Sequence, residues 1–179
     1  MTAELSCRCS LRVLNVHDRN IAAPPDAVGA LIDSLASDDD ALWPSRTWPR
    51  MCLDRPLNVG AIGGHGPIRS FVDEYLPGRM VQFRFLSPRG FDGHHRFEAT
   101  PAENGSTLLR HTIDMSISGR ALFTWPVIVR PLHDALLEDA LNQAQSSLGL
   151  TPAFSSWSAY VKLLRWLVTS GRAKPPKHF

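Results

Sequence analysis

The 179-residue sequence has little net charge and none of the short motifs that mark common classes of enzyme. A formal net charge of +2, with no recognition motif beside it, gives no reason to expect nucleic acid as a partner. The nucleophile elbow of hydrolases, the HExxH zinc motif and the dinucleotide-binding glycine fingerprint are all absent. We therefore expect neither a bound metal nor another cofactor.

Cysteine is also scarce, and long apolar runs are missing. The three cysteines are an odd number, and Cys7 and Cys9 are too close together for a routine disulfide or a complete metal site. We interpret them, with Cys52, as free thiols in a reducing compartment. Glu4 and polar residues stand where a secretory signal would need an apolar core, and no run reaches the length of a membrane span. The expected location is the cytoplasm.

What the sequence does contain is a succession of four strand-like segments between residues 68 and 118. Proline, glycine and asparagine separate them at the spacing of an antiparallel meander. Three of the four segments alternate between apolar and polar residues. The apolar positions of one face are Val81, Phe83, Phe85, Phe97, Ala99, Leu109, Ile113, Met115 and Ile117. The pattern predicts a half-buried sheet with one apolar face.

Two histidines, His95 and His111, interrupt this apolar face, because each alternates in step with the apolar residues of its own strand. If their strands pair through the turn at residues 101–106, facing positions sum to about 207, which places His95 nearly opposite Thr112. A buried imidazole tends to be neutral, and could act as a general base or donate a hydrogen bond to a ligand. The alternative is a core histidine satisfied by a neighbouring group.

Two other polar residues have less certain positions. His65, in the glycine-rich turn at residues 63–67, is interpreted as a solvated loop residue, with a place at a cavity mouth as the alternative. Glu74 shares its phase with Ile68 and Val72, which predicts either an inward carboxylate or a β-bulge.

The flanking segments predict further strands and helices. Residues 11–21 and 57–62 have strand-like composition. A proline-initiated helix follows residue 22, and a second short helical turn is predicted at 38–42. Residues 121–148 predict one long helix in which Pro131 introduces a kink or marks the true beginning. Residues 155–169 predict an amphipathic helix.

Two tryptophans, Trp43 and Trp48, lie beside prolines in a loop. They could plug the space between the short helices and the sheet, or form the rim of a ligand entrance.

The order of these elements resembles the START-like superfamily, which includes Bet v 1, polyketide cyclases and aromatases, and the bacterial SRPBCC proteins. The resemblance rests on the junction at residues 21–25, the turn at 74–79 before the strand at 81–85, and the long helix; together they cover residues 11–148. It implies an α+β helix-grip (Bet v 1-like) fold, in which a curved antiparallel sheet of six to seven strands wraps around a long C-terminal helix. It also implies an apolar cavity for a lipid, sterol, polyketide or similar molecule.

These expectations divide the chain into a flexible arm (1–10), a helix-grip domain (11–150) and a C-terminal amphipathic helix with its tail (151–179). The main functional hypothesis is binding of a hydrophobic small molecule. Its predicted ligand-binding residues are Trp43, Trp48, Val81, Phe83, Phe85, His95, Phe97, His111, Ile113 and Met115.

Two alternatives stay open. The family resemblance suggests a polyketide cyclase or dehydrase type of enzyme, with His95 and His111 as acid and base. The tail helix at 155–169 could instead dock the domain on a membrane or a partner, or pack on its own domain or on a second copy in a homodimer.

Overall fold

The computed structural model describes residues 9–152 and 156–170. The predicted arm lies almost wholly outside these residues, as do Cys7, the first residue of the predicted tail helix and the segment after residue 170. Cys9 and Cys52 are free and exposed.

Seven strands form one antiparallel sheet, which confirms the predicted meander and fold class. Their spatial order is β1-β7-β6-β5-β4-β3-β2, so the first and last strands along the chain pair with each other. The strands are β1 Ser10–Ile21, β2 Cys52–Leu53, β3 Ile62–Gly64, β4 Arg69–Leu76, β5 Met80–Ser87, β6 Phe91–Pro101 and β7 Thr107–Ser118. In β7 every second residue from Thr107 to Ile117 is buried, as the alternation predicts, and of the residues between them only Thr112 is also buried.

One short helix follows β1, and a longer helical segment follows β7. The helices are α1 Pro25–Asp33, α2 Ala121–Thr124, α3 Arg130–Ser147 and α4 Ala159–Ser170. A π-helical turn, Trp125–Val129, joins α2 to α3. The helix does not begin at Pro131, because helical backbone continues from Ala121 to Ser147. The π-helical turn lies directly before Pro131 and interrupts the regular helix at the point where proline lacks an N–H.

Two local predictions were wrong, and for Glu74 the second of the two alternatives is confirmed. Residues 38–42 form turns and no helix, because the Asp40 carboxylate accepts hydrogen bonds from the N–H groups of Ala36, Leu42 and Trp43. Residues 57–62 are mostly outside the sheet, and pairing starts only at Ile62. Glu74 is exposed and follows a break in the β4–β5 register, which is the bulge that was the alternative.

The pairing of β6 with β7 also differs from the prediction, by one residue. His95 lies opposite Ile113, and His111 opposite Phe97. The connection after Pro101 has an odd number of residues and is centred on Asn104, whose φ of 56° lies in the left-handed region. The one-residue error follows from placing the centre of the turn between two residues.

Helix α3 packs across the inward face of the sheet. Leu137 and Leu141 of this helix share a core with Phe83 and Leu109 of the sheet, and all four are almost fully buried. A second core surrounds Trp125 at the other end of the sheet. Side chains do not fill the space between these two cores, and this gap positions the site.

Candidate functional site

A cavity of about 350 Å³ lies between α3 and the inward face of the sheet. Its wall is mostly apolar and aromatic, with four imidazoles among the polar groups. The lining residues are Trp43, Thr47, Trp48, Pro49, His65, Gly66, Pro67, Ile68, Phe85, Phe91, His95, His111, Ile113, Trp125, Ile128, Val129, Leu132, His133, Leu136, Leu137, Arg165, Val168 and Thr169.

Six of the ten residues predicted from the sequence lie in this wall. They are Trp43, Trp48, Phe85, His95, His111 and Ile113. The other four, Val81, Phe83, Phe97 and Met115, are buried in the core and do not line the cavity. Periodicity shows correctly that these four face inward, but side chains from α1 and α3 cover Val81, Phe83 and Phe97, and Met115 packs in the core around Trp125.

His95 and His111 form a contacting pair on neighbouring strands. His95 Nδ1 lies 3.4 Å from His111 Nε2, which is a long hydrogen bond. His95 stacks on Phe83 with ring centroids 5.0 Å apart, and the edge of His111 meets Phe97 at 4.6 Å. Two of the core phenylalanines therefore hold the rings of the pair in place. Nδ1 of His111 is buried and has no hydrogen-bond partner among the described residues.

Burial lowers the pKa of both His95 and His111 well below its ordinary value, and the neighbouring imidazoles lower it further. Both rings are therefore neutral near pH 7. A neutral imidazole has one nitrogen that donates and one that accepts, so the pair can donate a hydrogen bond to a carbonyl or accept a proton from a hydroxyl or an acidic carbon.

Two further imidazoles lie at the cavity. His65 packs on Trp43 with centroids 4.7 Å apart, and burial, with the neighbouring His133, lowers the pKa of His65 to about 3. Its preferred interpretation as a solvated loop residue was wrong. His133 lies 5.2 Å from His111 between ring centroids, and burial lowers its pKa as well.

The sequence interpretation missed His133, although a signal was present. His133 is four residues from Val129 and four from Leu137, so it shares the buried side of α3.

On the side of α3 facing β1, polar contacts replace apolar ones; we call this contact the seam. Asn15 donates a hydrogen bond to Asp134 at 3.0 Å, and Arg19 donates to Glu138 at 2.8 Å. Asn142 and Gln145 also accept hydrogen bonds from Arg19, at 3.1 and 2.8 Å. The seam residues are Asn15, His17, Arg19, Asp134, Glu138, Asn142 and Gln145.

His17 is the centre of the seam. Its ring nitrogens lie 3.1 Å from Asp134 Oδ1 and 3.0 Å from Glu138 Oε1. The hydrogen bond with Asp134 outweighs the effect of burial and raises the pKa of His17. The protonated ring donates to both carboxylates.

One group of side chains has the donor atoms of a metal site. Single ligand atoms of His17, His133 and Asp134 lie within 4.8 Å of one another. Both nitrogens of His17 are already paired with carboxylates, however, so a metal would have to displace a hydrogen bond that the seam uses. The seam contacts account for His17 without a metal.

The tail helix α4 packs on its own domain and completes the cavity wall. The indole N–H groups of Trp48 and Trp157 both donate to the Asp139 carboxylate, at 2.7 and 3.0 Å. The Arg165 guanidinium lies 4.1 Å from the ring centroid of each indole and donates to the Thr47 carbonyl. Trp48 is thus both a core plug and part of the wall. No helix in the described part of the chain is long and apolar enough to cross a membrane.

Comparison with known proteins identifies relatives by structure alone. No protein-family model and no curated protein sequence matches the chain. A norcoclaurine synthase point mutant from Thalictrum flavum, in complex with a transition-state analogue, superposes with a TM-score of 0.59 at 14% identity, over 79% of this chain and 97% of that chain.

Two further structures show the same likeness. A solution structure of a protein from Thermobifida fusca gives a TM-score of 0.60 at 14% identity, over 79% of this chain and 97% of that one. The di-domain ARO/CYC protein StfQ from the steffimycin biosynthetic pathway gives 0.57 at 16% identity, over 76% of this chain and 50% of that chain. With the sheet order and the long helix, these matches show that the chain has the Bet v 1-like helix-grip fold.

Proposed function

We propose that the chain binds an apolar small molecule in the cavity, with one polar group of the ligand next to His95 and His111. The observation that carries this proposal is a cavity of about 350 Å³ with an apolar wall and a pair of neutral, buried imidazoles. Known small-molecule sites span roughly 300–1,000 Å³ and combine apolar walls with a few polar groups. The cavity volume is at the small end of that range.

The charges around the cavity favour an uncharged ligand. Within the described part of the lining, Arg165 is the one permanently charged side chain, and the indoles of Trp48 and Trp157 already contact its guanidinium. A ligand carboxylate beside His95 would lose its hydration without gaining a cation. A phenol, an alcohol or a ketone matches the neutral imidazoles better.

Two probes of similar shape test the proposal. 2-Naphthol has a hydroxyl group, which 2-methylnaphthalene replaces with a methyl group. We expect both to bind in calorimetric or fluorescence titrations, and the double variant His95→Leu/His111→Leu to weaken 2-naphthol about tenfold while 2-methylnaphthalene keeps its affinity.

His94→Leu is the matched control, because His94 lies next to His95 on the other face of β6. It should leave the affinity for both probes unchanged. Failure of both probes to bind, or an equal loss for both in the double variant, would refute the proposed orientation of the ligand.

A second candidate function is acid–base catalysis of the polyketide cyclase or dehydrase type. It is favoured by the position of His95 and His111 in the cavity wall, because an unprotonated imidazole nitrogen can take a proton from a carbon next to a carbonyl. The fold shared with StfQ is consistent with it. In that step the C–H proton moves to an imidazole nitrogen, and the electron pair of the broken bond forms an enolate.

Deuterium exchange of 2-tetralone separates the two functions. An enzyme should speed exchange of the protons next to the ketone in D₂O, and His95→Leu/His111→Leu should return the rate to the uncatalysed value. A binding protein should bind 2-tetralone without changing its exchange rate.

The exposed free thiols of Cys9 and Cys52 favour the reducing cytoplasm as the location for either function.

A further inference from the structure

The outer side of α4 is apolar and exposed. Leu163, Trp166 and Leu167 are 50%, 62% and 52% exposed, and their three- and four-residue spacing places them on one side of the helix. Val161 and Leu164 are buried on the opposite side. Packing of α4 on its own domain therefore leaves this second apolar side uncovered by the described residues.

The exposed side of α4 continues onto the segment that connects the sheet to α3. Phe123 and Val127 are 77% and 53% exposed. The Tyr160 hydroxyl of α4 donates a hydrogen bond to the Val127 carbonyl at 2.6 Å, so the two segments touch. We call this combined surface the mouth patch; its members are Phe123, Val127, Ile128, Tyr160, Leu163, Trp166, Leu167 and Val168.

The mouth patch borders the cavity. Ile128 and Val168 belong to the patch, are 39% and 42% exposed, and also line the cavity. Exposed apolar patches of this extent are unusual on proteins that stay monomeric in water.

The part of the sequence that contains α4 and the residues after it carries charge of one sign. After Asp139 the sequence contains no acidic residue up to Phe179, but it contains Lys162, Arg165, Arg172, Lys174 and Lys177. Among the residues that the structure describes, Lys162 is exposed on α4 beside Leu163. Apolar side chains with flanking basic residues and a tryptophan–tyrosine pair are typical of surfaces that insert into the headgroup region of anionic bilayers.

We propose that the mouth patch docks on an anionic lipid bilayer and brings the edge of the cavity formed by Ile128 and Val168 against the lipid. A second copy of the chain fits less well, because a two-fold interface would place basic α4 next to basic α4. This docking goes beyond ligand binding and does not depend on it, since no cavity residue other than Ile128 and Val168 takes part.

Vesicle binding of the whole chain tests the proposal. Of the described tryptophans only Trp166 is exposed, so its insertion should shift the fluorescence emission to shorter wavelength. We expect the chain to sediment with phosphatidylcholine vesicles that contain about 30 mol% phosphatidylglycerol, and to bind pure phosphatidylcholine more weakly. Leu163→Ser/Leu167→Ser should weaken binding about tenfold or more.

Leu14→Ser/Val16→Ser is the matched control, because these residues are 66% and 44% exposed on β1, outside the mouth patch. It should bind vesicles like the unchanged chain, and both double variants should keep its thermal unfolding midpoint. The proposal fails if anionic vesicles do not bind, or if both double variants lose binding equally. It also fails if light scattering shows a dimer that Leu163→Ser/Leu167→Ser dissociates, because a second copy then covers the patch.

Discussion

The two sides of helix α3 use polar groups in opposite ways. At the seam, Asn15, His17 and Arg19 of β1 all hydrogen-bond to side chains of the helix. On the cavity side, Nδ1 of His111 is buried without a hydrogen-bond partner among the described residues, whereas Nδ1 of His133 lies 3.8 Å from Asp134 Oδ1 of the seam. Among the seam residues, only Asn15 Oδ1 is a buried side-chain atom without a hydrogen-bond partner.

This difference separates polar groups that hold the fold from polar groups that are available to a ligand. Paired groups at the seam attach α3 to the edge of the sheet. Unpaired nitrogens beside an open cavity cost stability, and that cost is recovered only when a ligand or water supplies the missing partner. Mutations on the two sides of the helix should therefore have different consequences.

The largest effect is expected at the seam. Asp134→Ala removes the acceptor of Asn15 and one acceptor of His17, and leaves both groups partly buried. Because about a third of the Asp134 side chain is exposed, we expect a loss of about 1–3 kcal/mol in the free energy of unfolding by urea.

Asp92→Ala is the control for a surface ion pair, since Asp92 pairs with Arg84 while 79% of its side chain is exposed. It should change stability little. Equal losses in the two variants would contradict a structural role specific to the seam.

The next effect is on how stability depends on pH. His17 in the seam and His111 at the cavity should change the free energy of unfolding in opposite directions as pH rises. The pKa of His17 is raised in the folded state, so its stabilisation is complete below the unfolded value near 6.5 and is lost as pH rises through the folded value. The pKa of His111 is lowered, so its neutral form favours folding above pH 6.5 and stability is lost as pH falls below that value.

Urea unfolding at several pH values checks both signs. The stability advantage of the unchanged chain over His17→Gln should shrink above about pH 7. The stability of the unchanged chain relative to His111→Leu should decrease below about pH 6, by at most about 1.4 kcal/mol per pH unit for one proton. If the stability difference from the unchanged chain changed with pH in the same direction for both variants, the distinction between seam and cavity would be contradicted.

The smallest effect is expected for His111→Leu at pH 7. Leucine fills a similar volume and removes a nitrogen without a hydrogen-bond partner, so the free energy of unfolding should change by less than about 1 kcal/mol. A loss as large as that of Asp134→Ala would show that His111 is a structural residue.

Local periodicity was enough to predict the parts of the site that lie on the central strands. His95 and His111 are in phase with apolar neighbours, and burial of an imidazole lowers its pKa whatever covers it. The irregularity of the long helix before Pro131 also follows from local chemistry, because proline lacks the N–H that a regular helix interior needs.

Contacts between segments that are distant in the sequence could not be predicted from local periodicity. His17 and Glu138 are separated by 121 residues, and nothing in either segment alone shows that they pair. Val81 and Phe97 have the correct phase, but α1 and α3 decide that they are covered while Phe85 stays in the cavity wall. The seam and the limits of the cavity therefore depend on packing between elements.

The most direct test is a crystal structure of the chain with 2-naphthol. We predict the naphthalene rings between α3 and the sheet, with the hydroxyl oxygen within about 3 Å of a ring nitrogen of His95 or His111. An empty cavity at saturating 2-naphthol, or a hydroxyl group directed away from both imidazoles, would contradict the proposed site.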